Sequence, residues 1–333
     1  MTPLRVVHVG LGPIGLRVAA AAARRHNLQS VAAVDPLLAG RDLGELLGGS
    51  PSGVVVSPDL DDALSGRSAD VALHCTGSHL AQVEPQLMAL IGRGLDVVST
   101  TEQLSWPWFH HPEEAGRLEA AAKTAGVRLL GTGVNPGFVM DLLPVFLGAV
   151  ALEVRSVRVE RVLNASLRRG PLQLKVGSGL APEEFRRLGR EGTLGHMGLV
   201  ESVAMIGAGF GWRLDAIEQV LDPVVATDPI RTDAVQVAPG QVRGLHQVAT
   251  GYLAGEPKVT LDLVMALGAQ ESGDTVILEG DPNLKLRIDG GIPGDIATAA
   301  AVVGALPRLQ RVAPGLLTVL DLPPAPGRDG AAG

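Results

Sequence analysis

Glu102 is the residue whose type and setting point most directly to chemistry. It lies in VVSTTEQLSWPW, residues 97–108, where an apolar strand-like run ends. Ser99, Thr100 and Thr101 precede it, and Trp106 and Trp108 follow. A carboxylate between apolar rings has its ionised form desolvated, which strengthens it as a base. It would take a proton from a reacting group and stabilise a nearby ammonium or iminium. The plainer reading is a carboxylate that opens the following helix, HHPEEAGRLEAA. His110 and His111 have no third ligand at suitable spacing, and adjacent residues rarely point at one ion, so no metal is expected. Cys75, the single cysteine, reads as a small buried hydrophobe, because no base is evident nearby.

A hydride carrier is the natural companion of such a base. VVHVGLGPIGLRVAAAAARRH, residues 6–26, runs from strand-like residues through three glycines into an alanine-rich helix. Gly10 would make the tight turn, Gly12 would let a pyrophosphate approach the backbone, and Gly15 would let helix and strand pack closely. Pro13 and Ile14 open the helix, whose free N–H groups and dipole would face the phosphates. Asp35 stands at the end of the second strand, where a ribose diol would lie. Its charge favours NAD, yet Arg41 lies within reach of a 2′-phosphate, so NAD and NADP both stay open. Thr76, Gly77 and Ser78 end another strand and would meet a ribose or phosphate, or Ser78 would cap the next helix. Thr101 is counted with the cofactor site. In GTGVNPGF, residues 131–138, Asn135 is held extended by Pro136, and this backbone would bond a nicotinamide carboxamide or serve as a hinge. GGIPGDIATAA, residues 290–300, repeats the anion-cradle logic with Thr298, and should close the site. His196 is placed at a helix start.

These residues need elements to position them. Apolar strand-like runs alternate with helical ones through the first part of the chain, ending in VRLLGTG. That rhythm predicts an α/β fold of Rossmann type, a doubly wound parallel sheet, over residues 1–136. Strands are expected in EVRSVRVERVLNAS, KVTLDLVMALG, DTVILEGD and LKLRIDGG, with helices over 182–190, 196–207 and 212–219. They predict an α+β domain with an open, mainly antiparallel sheet over 137–293. A helical segment, 294–325, should return to the first domain. The 333 residues are 46% hydrophobic, so a folded chain with sizeable cores is expected. The net charge of −7 and the lack of a dense basic block argue against nucleic acid or an anionic membrane as partner. Without a secretory pattern, and with one cysteine, a reducing cytoplasmic setting is expected. The tail PPAPGRDGAAG should fray.

GLGPIG, STTEQLSWPW, GTGVNPGFVMDLLP, PLQLKVGSGLAPEEF, GHMGLVES and GIPGDIATAA together resemble the 2,4-diaminopentanoate dehydrogenases and native amine dehydrogenases. Those families resemble the dihydrodipicolinate reductase superfamily in fold. The resemblance implies NAD(P)-dependent oxidative deamination of an amine, reversible as reductive amination of a ketone or aldehyde with ammonia. It also implies Glu102 as the catalytic residue and a homodimer formed through the second-domain sheet. The substrate pocket is expected to draw on Trp106, Phe138, Asn164, Arg168 and His196, in a crevice between the two lobes. A diaminopentanoate enzyme needs a cationic clamp for the substrate carboxylate, for which Arg161, Arg168 and Arg169 are candidates. The reductases' second-domain His-His pair with a nearby lysine, and their Ser-Gly-Thr loop, are missing, so reductase activity is not expected. The alternatives are a homoserine-type alcohol or amino-acid dehydrogenase and a non-catalytic NAD(P)-sensing protein.

Overall fold

The computed structural model describes residues 2–168 and 170–324. The end of the tail, from residue 325, and Arg169 lie outside the described residues. The chain divides into two compact units, Met1–Phe138 with Pro293–Gly333, and Val139–Ile292.

The first unit begins with β1 (Leu4–Val9), α1 (Pro13–Ala23) and β2 (Leu28–Val34). Proline at the start of α1 loses nothing, because the first N–H of a helix has no internal partner. Next come α2 (Leu43–Leu46), β3 (Val56–Ser57), α3 (Leu60–Ala63) and β4 (Val71–His74). The short helices start on aspartates: Asp42 accepts from the N–H groups of Gly44 and Glu45, and Asp59 from that of Asp62. The remaining elements here are α4 (Leu80–Ile91), β5 (Asp96–Ser99), α5 (Pro112–Ala125) and β6 (Arg128–Gly131).

The second unit holds α6 (Leu142–Leu147), β7 (Glu153–Asn164), α7 (Gly170–Lys175), α8 (Pro182–Arg190) and α9 (Leu199–Gly209). It continues with β8 (Ala216–Val225), the short pair β9 (Ile230–Arg231) and β10 (Gln236–Val237), then β11 (Val242–Leu253), β12 (Glu256–Ala266), β13 (Gly273–Asp281) and β14 (Leu284–Asp289). The chain then rejoins the first unit through α10 (Gly294–Leu309) and β15 (Gly315–Leu317).

The first unit's sheet has the order β15-β6-β5-β4-β1-β2-β3, and every pair is parallel. Strand order reverses between β1 and β4, so the loops after these strands open a crevice at their carboxyl ends. Val6, Val7, Val97, Val98, Leu129 and Leu130 are buried in this sheet, which explains its near-continuous apolar strands. Helix α10 packs along α1.

The second sheet has the order β14-β13-β7-β12-β11-β8. Its pairs are antiparallel except β7 with β12. Helix α9 covers one face, against β11, β12 and β8. Gly251 permits this close packing, since a Cβ there would lie 2.6 Å from the Val203 Cγ1 atom.

Residues 216–219 belong to β8, not to the helix expected over 212–219. Leu214, Ile217 and Leu221 are spaced three and four apart, which mimics a helical stripe. Pairing along the full edge of β11 outweighs that local pattern, because each strand N–H and C=O needs a partner. Strands β11 and β15 were not foreseen either. Glycines and polar residues interrupt the alternation of β11, and β15 is only three residues long.

Candidate active site

The glycine loop after β1 separates packing demands from open space. Gly10 has φ +83°, and a Cβ on it would lie 2.7 Å from the Cys75 carbonyl oxygen. A Cβ on Gly15 would lie 2.0 Å from the Gly10 carbonyl oxygen. The fold therefore requires both glycines. A Cβ on Gly12 would meet nothing within 4 Å, and Gly12 caps α1 without a side-chain hydrogen bond. Bare backbone at an uncapped helix start, with Pro13 and Ile14 in the first turn, fits the phosphates of a dinucleotide.

Asp35 follows β2 and accepts from the N–H groups of Leu11 at 2.8 Å and Leu37 at 2.9 Å. Each carboxylate oxygen retains capacity for a sugar hydroxyl. Arg41 is exposed in the turn after β2, and its guanidinium makes no hydrogen bond or ion pair among the described residues.

The loops after β4 and β5 share a buried polar network. His74 is wholly buried, with Nδ1 2.9 Å from the Ser99 hydroxyl and Nε2 2.9 Å from the Gln86 carboxamide oxygen. The Thr76 hydroxyl lies 2.8 Å from His74 Nε2 and donates to Gln86 at 2.7 Å. Thr101 donates its N–H to the Ser99 hydroxyl, and its own hydroxyl donates to the Gly77 carbonyl at 2.8 Å. The buried Thr101 side chain therefore ties down the segment that begins at Gly77, and the Thr76 hydroxyl is likewise hydrogen-bonded within these loops. Ser78 does not cap α4. The N-cap is His79, and the Gln103 side chain accepts the Leu80 N–H at 2.8 Å. Burial pushes the Cys75 thiol up to about 12, which makes it a poor nucleophile.

Burial also pushes His74 and His8 down from the ordinary 6.5 to about 4. In the unfolded chain both would take up a proton near pH 6.5. Stability should therefore fall as pH drops from about 6.5 toward 4, by a few kcal/mol per histidine. Urea unfolding across this window checks the prediction, and a pH-independent midpoint would contradict it.

Glu102 begins a short 3-10 turn, Glu102–Leu104. The Ser105 N–H and hydroxyl both donate to its carbonyl, at 3.1 and 2.7 Å. Leu104 and Ser105 are fully buried, and a Cβ on Gly131 would lie 2.6 Å from the Leu104 carbonyl carbon. The turn is thus wedged against the end of β6. The half-buried Glu102 carboxylate accepts no hydrogen bond among the described residues. Trp106 and Trp108 follow in an edge-to-face pair 5.1 Å apart. Glu102 is two strands from the glycine loop, about 10 Å across the sheet.

In the loop after β6, the Asn135–Pro136 peptide is cis, and Val134 donates its N–H to the Thr298 hydroxyl at 3.3 Å. Phe138 is 39% exposed at the loop's end.

In the second unit, Asn164 serves as a cap: its side-chain oxygen accepts from the N–H groups of Ser166 and Gly268. Arg161 is no free clamp. It is buried, 2.7 Å from Asp274, and donates to the Ile292 carbonyl. Arg168 lies close enough to lower the Arg161 pKa, though desolvation is the larger cause. His196 precedes α9 by three residues instead of starting it, and Gln247 holds its backbone through two hydrogen bonds. Sequence reasoning missed Gln103, His74, Gln86 and Asp274. Their roles come chiefly from distant partners, up to 113 residues along the chain, for which local spacing carries no signal.

Residues 138–328 match the family model of the 2,4-diaminopentanoate dehydrogenase C-terminal domain. The 2,4-diaminopentanoate dehydrogenase of Acetoanaerobium sticklandii is 32% identical over 340 residues, covering 97% of this chain and 94% of that protein. The chain belongs to the 2,4-diaminopentanoate dehydrogenase family. The family match includes α10 and Thr298, which pack in the first unit. Similarity reaches further, to an amine dehydrogenase of Streptomyces virginiae, 24% identical over 96% of this chain and 97% of that one. The structure of an amine dehydrogenase from Mycobacterium smegmatis superposes with a TM-score of 0.86 at 26% identity, covering 98% of this chain and 97% of that one. These relatives of the diaminopentanoate dehydrogenase family are oxidoreductases named for acting on amines.

Proposed function

We propose that this chain is an NAD(P)-dependent amine dehydrogenase. It would interconvert an amine with a carbonyl compound and ammonia, using Glu102 as base. The observation that carries this reading is the Glu102 carboxylate, without a hydrogen-bond partner among the described residues, on a wedged turn two strands from a glycine loop with bare backbone. When bound, the nicotinamide supplies the hydride acceptor or donor. Gly12 and the start of α1 would hold the phosphates, and Asp35 the adenosine ribose. In the amination direction, Glu102 removes a proton from the nitrogen as ammonia adds to the carbonyl carbon. It hands that proton to the carbinolamine oxygen, a second proton brought in as ammonium lets the oxygen leave as water, and the carboxylate, ionised again, stabilises the cationic iminium. Trp108 is 38% exposed, so of the two rings only the half-buried Trp106 would limit water around that charge.

The higher identity to the Acetoanaerobium sticklandii enzyme favours a second reading, a carboxylate-bearing diamine as substrate. NAD(P)H oxidation across a carbonyl panel, with and without ammonium and with each cofactor, tests the first reading. NAD(P)+ reduction by 2,4-diaminopentanoate tests the second. Activity independent of ammonium would point instead to an alcohol dehydrogenase, and binding without turnover to a sensor.

A homodimer would use the sheet face opposite α9, where Arg158, Glu160, Asp262 and His246 form a linked polar cluster and Val220 is exposed. Sedimentation should show a dimer that Val220→Lys weakens at least tenfold, and an unchanged dimer would move the interface elsewhere.

A further inference from the structure

The two residues flanking Glu102 both reach across to the same segment. Thr101 donates its hydroxyl to the Gly77 carbonyl, and Gln103 donates its backbone N–H to the Ser78 carbonyl at 3.4 Å. The Gln103 carboxamide oxygen also accepts the Leu80 N–H at 2.8 Å. Helix α4 has no cap from its own N-cap residue, so a side chain 23 positions along the chain takes over one of its orphaned N–H groups. The Gln103 amide nitrogen donates to no described residue. Among the described residues, only the acceptor of this side chain is used.

We propose that Gln103 is a positioning residue: with Thr101 it braces the Glu102 turn against residues 77–80, locking the carboxylate to the loop that borders the cofactor crevice. The proposal rests on the reading of Glu102 as base. Its physical reason is that proton transfer demands a geometry held to within about an ångström, and a shift of that size costs up to about 100-fold in rate. A three-residue 3-10 turn is too short to hold such a geometry by its own hydrogen bonds. The Thr101 tie fixes the turn's entry, and Gln103 fixes its direction of travel.

The test compares Gln103→Met, which keeps length and loses the acceptor, with Gln103→Glu, which keeps an acceptor at the same place. Both are made in the full chain, alone and on a Glu102→Gln background. Ammonium-dependent NAD(P)H oxidation is read for kcat and KM, with thermal midpoints recorded in parallel. The expected result is at least a tenfold loss of kcat in Gln103→Met, with the KM for NAD(P)H within about threefold. Gln103→Glu should recover the maximal rate, with a pH profile moved upward by its added charge beside Glu102. On the Glu102→Gln background, Gln103→Met should cause no further loss. Wild-type kcat in Gln103→Met with only a lowered thermal midpoint would overturn the brace and leave a helix cap. Equal losses in Gln103→Met and Gln103→Glu, or the same loss on both backgrounds, would overturn it too. Normal turnover in Glu102→Gln alone would instead overturn the catalytic reading itself.

Discussion

Glu102→Ala should lower ammonium-dependent turnover at least about 100-fold while NAD(P)H binding stays unchanged. The two halves of this expectation come from different parts of the first unit. The glycine loop, the start of α1 and Asp35 are proposed to hold the cofactor, and among the described residues none of them hydrogen-bonds to the Glu102 side chain. Turnover is proposed to depend on the Glu102 carboxylate, which has no ion-pair partner among the described residues. The Glu102 backbone is held by Ser105, by the burial of Leu104 and by the Thr101 and Gln103 contacts to residues 77–80, so removing the carboxylate leaves the turn in place. Steady-state assays and a fluorescence titration with NAD(P)H check both halves. Near-normal turnover would refute the role, and lost cofactor binding would make the residue part of the cofactor site.

Asp274→Ala should destabilise the protein by about 3–5 kcal/mol, because it strands a buried guanidinium. Arg161 and Asp274 are both almost fully buried, and their contact is 2.7 Å. Asp274 also accepts the Ile292 N–H at 2.7 Å, and Arg161 donates to the Ile292 carbonyl at 2.8 Å. The pair therefore fixes the backbone where the chain leaves the second unit. Arg161→Met combined with Asp274→Val should be much less harmful than Asp274→Ala, since no charge is left unpaired. Urea unfolding of the three proteins measures this, and a mild Asp274→Ala effect would show that water reaches the guanidinium.

The parts of the fold legible in the sequence are those set by local periodicity. Val-rich strands alternating with helices foretold the parallel sheet, and alternating polar and apolar residues foretold β7, β12, β13 and β14. Strand β8 was misread because Leu214, Ile217 and Leu221 have helical spacing, and only its partner β11 decides otherwise. In the candidate site, the residue types were legible and their orientation was not. Thr101 looks like a ligand-facing hydroxyl in the sequence, but the Gly77 carbonyl claims it. Arg161 looks like a substrate clamp until Asp274, 113 residues later, is seen beside it. Gln103 is unremarked in sequence because its partner is a backbone N–H on another element. Long-range hydrogen bonds of this kind leave no periodic trace.

The most direct test of the account is a crystal structure with NAD(P)+ and an amine bound, read for the distance from the Glu102 carboxylate to the amine nitrogen. The account predicts hydrogen-bond contact, about 2.6–3.2 Å or through one water, with the amine carbon facing the nicotinamide. A carboxylate turned to bulk solvent, with another residue contacting the amine nitrogen, would contradict it.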